Sequence, residues 1–316
     1  MARITIIAMS GLPSVDRRRL FLRVDDFSEA DVRAIFDRAR ALSAAGAHRQ
    51  TSPAGGPPTV GLLFLQPSLR TRVGFAVAAA RNGGRHVDVD ALRYQENMSA
   101  PESFADTIRT ISGMVDVVVV RTSFILCRGE LERNCVCPCI NGGDGDEHPT
   151  QALIDLFMIE QRFGTADGLR IGICGDLQSR VVKSLVRLLS RSTLKELRLI
   201  GPPSRRLASG LLTSNLEKIA TATDEAAFES LDVLYLAGLA RQRGPDILSV
   251  EARRKFSVSE SNIGALSQSS AILCPMPAID EIDVAVRDDP RICMFQQSDL
   301  GVFVRMALLA LIAHGR

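Results

Sequence analysis

Ser68, Arg70, Thr71 and Arg72 lie within five residues of one another, directly after the apolar run Val60–Leu65. That run reads as a buried strand broken at Pro67. Leu69 to Arg81 then reads as a helix opened by Ser68 and ended by Gly83-Gly84. A strand, a short turn and a helix whose first turn carries hydroxyls and guanidinium groups make an anion site. Free backbone N–H groups and the positive end of the dipole meet a phosphate there, and the side chains complete the cage. Taken alone, the segment reads equally well as an ordinary capped helix with charges on a solvated face.

A second segment favours the anion site. Asn141-Gly142-Gly143-Asp144-Gly145-Asp146-Glu147 is a glycine-rich turn leading into His148-Pro149-Thr150-Gln151 and the helical pattern Ala152 to Ile159. Pro149 suits the first helical position, where a missing N–H costs nothing. His148 and Gln151 then sit at the positive end of that helix, able to face a cleft.

The elements that must hold these groups alternate. Strands are expected at Val60–Leu65, His86–Val89, Val115–Arg121, Cys137–Ile140, Arg170–Cys174, Glu196–Ile200, Val233–Leu239 and Ala271–Leu273. Helices are expected between most of them, as at Phe27–Ala44, Phe104–Met114, Val181–Ser190 and Asp224–Ser230. Such alternation predicts an α/β fold of two domains, each with a mainly parallel sheet flanked by helices. Leu169 to Asp176 reads as the first strand of the second unit, and Ala45–Pro58 as a surface loop. The length of 316 residues fits two cores better than one.

Composition narrows the function. A net charge of +2 gives no electrostatic surface for nucleic acid, and 5% aromatic residues with no Trp disfavour base stacking. The apolar stretch Met1 to Met9 is too short for a signal sequence, and no run is expected to reach membrane-spanning length. The protein is expected in the cytosol, with its seven cysteines reduced. Cys135, Cys137 and Cys139 would share one face of a strand. They are read as buried thiols ahead of a metal site, because no second ligand cluster completes one.

Together these segments resemble the aspartate/ornithine carbamoyltransferase family, the aspartate branch most closely. The family's phosphate signature Ser-Thr-Arg-Thr-Arg appears as Ser68-Leu69-Arg70-Thr71-Arg72, and His-Pro-Thr-Gln is intact at His148 to Gln151. Cys274-Pro275-Met276-Pro277-Ala278-Ile279-Asp280-Glu281 stands where the aspartate branch has His-Pro-Leu-Pro-Arg-Val-Asp-Glu. The tail from Phe295-Gln296-Gln297 through Gly301 to Leu309 is a fourth match, so the likeness runs in order from about Leu20 to the C-terminus.

The resemblance implies carbamoyl transfer from carbamoyl phosphate to an amine, without metal or organic cofactor. It implies that Ser68, Arg70, Thr71, Arg121 and the Leu69 backbone hold the phosphate. His148, Thr71 and Arg121 polarise the carbonyl oxygen, and Gln151 with the Met276-Pro277 backbone orients the carbamoyl NH2. Arg72 is implied to be structural. The last helix, Gly301 to His314, is implied to return to the first domain. That gives a carbamoyl phosphate domain of residues 1–163 plus 296–316 and an acceptor domain of 164–295. The implied assembly is a homotrimer, alone or within a larger one, whose partners are small-molecule substrates, with neither nucleic acid nor membrane.

The acceptor half departs from the family pattern. Alignment through Leu234-Tyr235-Leu236 puts Gly238 and Ala240 where the aspartate branch has an Arg and a Gln for the amino acid's carboxylates. Losing such an Arg should cost about 2–5 kcal/mol where a carboxylate must be buried. Arg241 and Arg243, just downstream, read as solvated charges. Ala100 stands where that branch has a Lys reaching a neighbouring subunit's site, and Leu69 removes one signature hydroxyl. Arg180 matches the surviving carboxylate-binding arginine. Two readings from different classes follow, with ordinary aspartate carbamoylation ranked third on these residues. The favoured one is an active carbamoyltransferase whose acceptor is not, or not only, aspartate. The other is a silent homologue kept as a structural or regulatory subunit, supported by the losses at Ala100, Gly238 and Ala240.

Overall fold

The structure, a computed structural model, describes residues 20–46, 58–89, 102–211, 219–222, 228–239 and 248–313. The expectations for Ala100, Ala240, Arg241, Arg243, and most of the Tyr94–Glu102 loop and the Asp224–Ser230 helix lie outside these residues.

Two five-stranded sheets, parallel throughout, carry the fold. In the first, β1 (Leu20–Phe21), β2 (Thr59–Phe64), β3 (Arg85–Val89), β4 (Val117–Arg121) and β5 (Cys139–Asn141) lie in the order β1-β5-β4-β2-β3. Its helices are α1 (Glu29–Ala44), α2 (Leu69–Arg81), α3 (Phe104–Ser112), α4 (Arg128–Asn134) and α5 (Pro149–Phe163). In the second, β6 (Arg170–Gly175), β7 (Glu196–Ile200), β8 (Ile219–Ala222), β9 (Val233–Ala237) and β10 (Ala271–Leu273) lie in the order β10-β9-β6-β7-β8. Among the described residues the remaining helices are α6 (Arg180–Leu189), α7 (Val250–Arg254) and α8 (Met294–Ala313).

The central strands are apolar on both faces because helices cover both. Val117 to Val120 and Val233 to Ala237 are all buried, which is the pattern of parallel rather than half-solvated strands. Each strand order reverses once, between β2 and β4 and between β6 and β9. Parallel sheets open a crevice at such switch points, outside the strands' carboxyl ends. Phe64 of β2 is in register with Arg121 of β4, so the Ser68 turn and Arg121 leave the sheet side by side. Arg180 follows β6 and Gly238 follows β9, which places them at the corresponding point of the second sheet.

α8 packs against α1, α2 and α5, the helices of the first sheet. It also corrects an expectation. Met294–Ile312 has the length and mean hydropathy, 1.3, of a membrane-spanning segment. Met306 to Leu309 are fully buried against the neighbouring helices, so its apolarity is that of a core helix clad on several sides.

Most strand and helix ends shift by one to three residues from the sequence expectation, and three shifts matter. α1 starts at Glu29 rather than Phe27, because Ser28 Oγ accepts from Asp31 N (3.1 Å) while the Asp31 carboxylate accepts from Ser28 N (3.0 Å). α8 starts at Met294 rather than Gly301. The third concerns the cysteines: only Cys139 lies in a strand, while Cys135 caps α4 and Cys137 lies in the link between. The three thiols therefore do not alternate along a strand. They are buried with Leu20, Val118 and Leu131, and Cys135 Sγ donates to the Cys137 carbonyl (3.2 Å). β1, β8, α4 and α7 have no counterpart among the sequence expectations; each is short.

Candidate active site

Among the described residues, a cavity of about 390 Å³ lies where the two switch points face each other. Ser68, Leu69, Arg70, Thr71, Arg121, His148, Gln151, Arg180, Met276 and Pro277, every residue expected in the site, line it.

Its floor is the start of α2. Ser68 is the N-cap in extended backbone, but its hydroxyl makes no capping bond. Ser68, Leu69, Arg70 and Thr71, the N-cap and first turn of α2, line the cavity, where the positive end of a helix favours an anion. Thr71 is buried, whereas Leu69 is 74% exposed and turns outward. Arg72 leaves the site altogether and pairs with Asp88 on the exposed side of β3 (2.8 Å).

The wall is the glycine-rich turn, and its acidic residues build it. Asn141 Nδ2 donates to the Leu22 carbonyl and its Oδ1 accepts from Gly143 N, both at 2.8 Å. Asp144 accepts from the N–H groups of Asp146 (2.8 Å) and Glu147 (2.7 Å), and from Leu126 N (3.0 Å). The buried Glu147 accepts from Val24 N (3.0 Å) and pairs with Arg187. Gly143, at φ +112°, is required: a Cβ there would stand 2.6 Å from Arg121 Nη1 and 3.0 Å from His148 Cδ2. This close approach lets the turn press Arg121 and His148 together.

Arg121 Nη1 donates to the Gly142 carbonyl (2.8 Å) and lies 3.2 Å from His148 Nε2. Its Nε is buried with no partner, a donor held ready inside the cavity wall. Burial, with the charges of Arg180 and Arg70, lowers the Arg121 pKa to about 9, so it remains a cation at neutral pH. Burial and then the surrounding arginines, Arg121 first, hold His148 well below the ordinary imidazole range. His148 is therefore neutral. Since a guanidinium only donates, Nε2 faces Arg121 as the acceptor, and Nδ1 carries the proton toward Thr150 Oγ1 (3.3 Å). Thr71 Oγ1 is 3.4 Å from the same Nε2.

Arg180 does line the cavity, but it is engaged. It donates to the Asp144 carbonyl (2.6 Å) and to Gln66 Oε1 (2.8 Å), tying the β6–α6 turn to two loops of the first sheet. The Cys274–Pro277 turn closes the far side; Met276 sits at φ +53°.

Arg305, Asp155, Gln297 and Tyr235 stand in segments that the motifs mark, yet sequence reasoning gives none of them a role. Arg305 is buried beneath Arg70 and stacks its guanidinium on Phe75 (5.5 Å to the ring centre). Burial and the Arg70 charge lower its pKa to about 10, while Asp155 opposes the shift. Asp155 is itself buried, and desolvation raises it to about 6 against the bonds it accepts. One signal could have found Arg305: a lone arginine inside an apolar helix is rarely buried without purpose. Arg70, Arg121 and Arg180 thus line one cavity, with Arg305 buried close to Arg70. The charges of Arg70 and Arg180 disfavour that of Arg121, as Arg70 disfavours that of Arg305, a concentration of cations suited to an anion.

Comparison with known proteins agrees with this geometry. Residues 19–161 match the description "Aspartate/ornithine carbamoyltransferase, carbamoyl-P binding domain", and residues 167–312 match "Aspartate/ornithine carbamoyltransferase, Asp/Orn binding domain". The aspartate carbamoyltransferase catalytic subunit of Staphylothermus marinus is 37% identical over 80% of this chain and 83% of its own. The chloroplastic aspartate carbamoyltransferase of Oryza sativa is 30% identical over 98% of this chain and 89% of its own. Among solved structures, Trypanosoma cruzi aspartate transcarbamoylase in complex with carbamoyl phosphate superimposes with a TM-score of 0.84 at 28% identity. That match covers 94% of this chain and 97% of the other. The chain belongs to the aspartate/ornithine carbamoyltransferase family.

Proposed function

We propose that this protein transfers the carbamoyl group of carbamoyl phosphate to an amine that is not, or not only, aspartate. The observation that carries the donor half is the convergence of Arg70, Arg121 and Arg180 on a cavity floored by the start of α2, with the buried Arg305 adding its charge near Arg70. The phosphate sits on the first N–H groups of α2, held by Ser68 Oγ, Thr71 Oγ1 and the guanidinium groups of Arg70 and Arg121. The carbonyl oxygen lies toward Thr71, Arg121 and His148. His148 is neutral, with its Nδ1 proton toward Thr150 and its Nε2 accepting from Arg121. It therefore delivers no proton and acts by fixing Arg121, which polarises the oxygen. The amine nitrogen attacks the carbonyl carbon, and the bond from that carbon to the phosphate oxygen breaks with its electron pair going to that oxygen. The departing phosphate takes the amine proton to leave as the hydrogen phosphate dianion. Such a reaction needs alignment and charge stabilisation, which a rigid cage of cations supplies.

The acceptor half is supported by Gly238 and Glu281. Where the resemblance places a carboxylate-binding arginine, this chain has Gly238, and a Cβ there would lie 1.6 Å from Glu281 Oε1. That oxygen is buried with no hydrogen-bond partner. A side-chain carboxylate thus finds no guanidinium at this point, and Glu281 holds the space that a longer residue at 238 would need. Arg180 remains for a single carboxylate, exchanging its bonds to Asp144 and Gln66.

The test is phosphate release from carbamoyl phosphate across a panel of amines. Turnover with an amine lacking a second carboxylate, at a kcat/KM above that for aspartate, is the expected result; aspartate as the best acceptor would refute the acceptor assignment. Absence of turnover with every amine would favour a silent subunit. The complementary variant carries Gly238→Arg, Ala240→Gln and Ala100→Lys. It should raise aspartate carbamoylation about tenfold or more, since one charged contact is worth that much. Glu281 must swing aside for the new arginine, and its carboxylate end can do so.

The homotrimer and a cytosolic location belong to the same proposal. Leu69, 74% exposed, and Val73, 50% exposed, present an apolar face beside the cavity, which supports burial against another copy. Light scattering should give the mass of three chains, and Val73→Glu should lower it; a monomeric wild type would refute the assembly.

A further inference from the structure

Behind the cavity wall, one carboxylate joins three elements. Asp155 lies one helical turn after Gln151 on α5 and is fully buried. Its Oδ1 accepts from Gln151 Nε2 (2.7 Å) and Gln297 Nε2 (2.6 Å), and its Oδ2 accepts from the Tyr235 hydroxyl (2.9 Å). Gln297, on α8, then uses its amide oxygen to accept from Cys274 N (3.0 Å), at the start of the Cys274–Pro277 turn.

An ionised carboxylate only accepts, and that fixes the direction of both amides. Gln151 and Gln297 must each turn their NH2 toward Asp155. The polar atom that Gln151 leaves for the cavity is then its oxygen, and the oxygen of Gln297 is committed to Cys274. An asparagine at this position would present a donor to these donors and release at least one amide to flip. Burying a charge here is costly, so a structural need alone would be met more cheaply by an apolar residue.

We propose that Asp155 is a positioning residue which, by orienting the amides of Gln151 and Gln297, presents a hydrogen-bond acceptor to the carbamoyl NH2 and fixes the Cys274–Pro277 wall. The proposal rests on the carbamoyl phosphate reading of the cavity. Inorganic phosphate, which has no NH2, separates the two.

Calorimetric titrations of the full-length protein with carbamoyl phosphate and with inorganic phosphate give the preference for the former. Asp155→Asn should reduce that preference about tenfold or more, leaving phosphate affinity within about twofold. In a Gln151→Ala background the same substitution should change the preference by less than about threefold, because its effect passes through Gln151. Equal losses for both ligands, or an undiminished effect in the Gln151→Ala background, would overturn the proposal. A wild type that binds phosphate without preferring carbamoyl phosphate would overturn the donor reading as well. A wild type with the preference and a variant that keeps it would overturn only the role of Asp155. If Asp155→Asn does not fold, Gln297→Ala tests the second arm: it should lower the preference about threefold or more, and an unchanged preference would overturn the proposal.

Discussion

Replacing Arg70 with alanine should abolish carbamoyl phosphate binding at ordinary concentrations and leave the fold intact. Arg70 lines the cavity at the start of α2, where its charge adds to the positive end of the helix dipole and to the cations of Arg121 and Arg305. Removing one member of a charge pair with a buried anion costs about 2–5 kcal/mol, about 30- to 5,000-fold in affinity. Arg72, two residues on, makes the control. Its partner Asp88 lies on an exposed face, so Arg72→Ala should change affinity and stability by less than about 1 kcal/mol. Titration calorimetry of both variants, with thermal melts, separates the outcomes. Unchanged carbamoyl phosphate affinity in Arg70→Ala would remove the phosphate cage from the account.

The second large effect comes from a residue with no side chain. Gly143→Ala should lower kcat/KM about 100-fold or more. The new methyl group would meet Arg121 Nη1 at 2.6 Å and His148 at 3.0 Å, at a φ of +112° that disfavours any Cβ. The backbone strain alone is worth about 1–3 kcal/mol. The larger loss is catalytic, because displacing the groups that align the carbonyl by about 1 Å can cost 100-fold. Gly164 also has a positive φ, +83°, but open space around it. Gly164→Ala should therefore reduce stability slightly and leave steady-state kinetics unchanged. Equal kinetics in the two variants would show that the turn does not press Arg121 against His148.

Much of this site is legible in the amino-acid sequence, and the reasons are local. The Ser68 turn and the His148 junction announce themselves because a phosphate cage needs consecutive residues at a helix start. Pro149 and the glycines that precede it have few other uses. Arg121 stands out by its position at the end of an apolar strand, and the β2–β4 register brings it beside Ser68. Asp155, Gln297, Tyr235 and Arg305 are harder to read because they act by packing α5, α8 and β9 together. Nothing in the spacing of Asp155 and Gln297, 142 positions apart, records that one carboxylate joins them. The Ser28 capping box is local and legible, and starting α1 at Phe27 overlooks it. The cysteine strand is an over-reading, because alternation along Cys135 to Cys139 suggests extended backbone where a helix end intervenes. Apolarity alone also misleads for α8, since a helix packed against three others looks like one surrounded by lipid.

Gly238 shows how an absence in sequence becomes a feature in structure. The sequence shows only a missing arginine. The fold shows that Glu281 lies against that glycine, so a Cβ at 238 would stand 1.6 Å from its Oε1.

The central claim is that the arginine-lined cavity is a working carbamoyl phosphate site, and calorimetric titration of the purified protein with carbamoyl phosphate, using pyrophosphate as the anion control, tests it most directly. Saturable binding that exceeds the control is the predicted result. No binding, or binding no tighter than pyrophosphate, would contradict it.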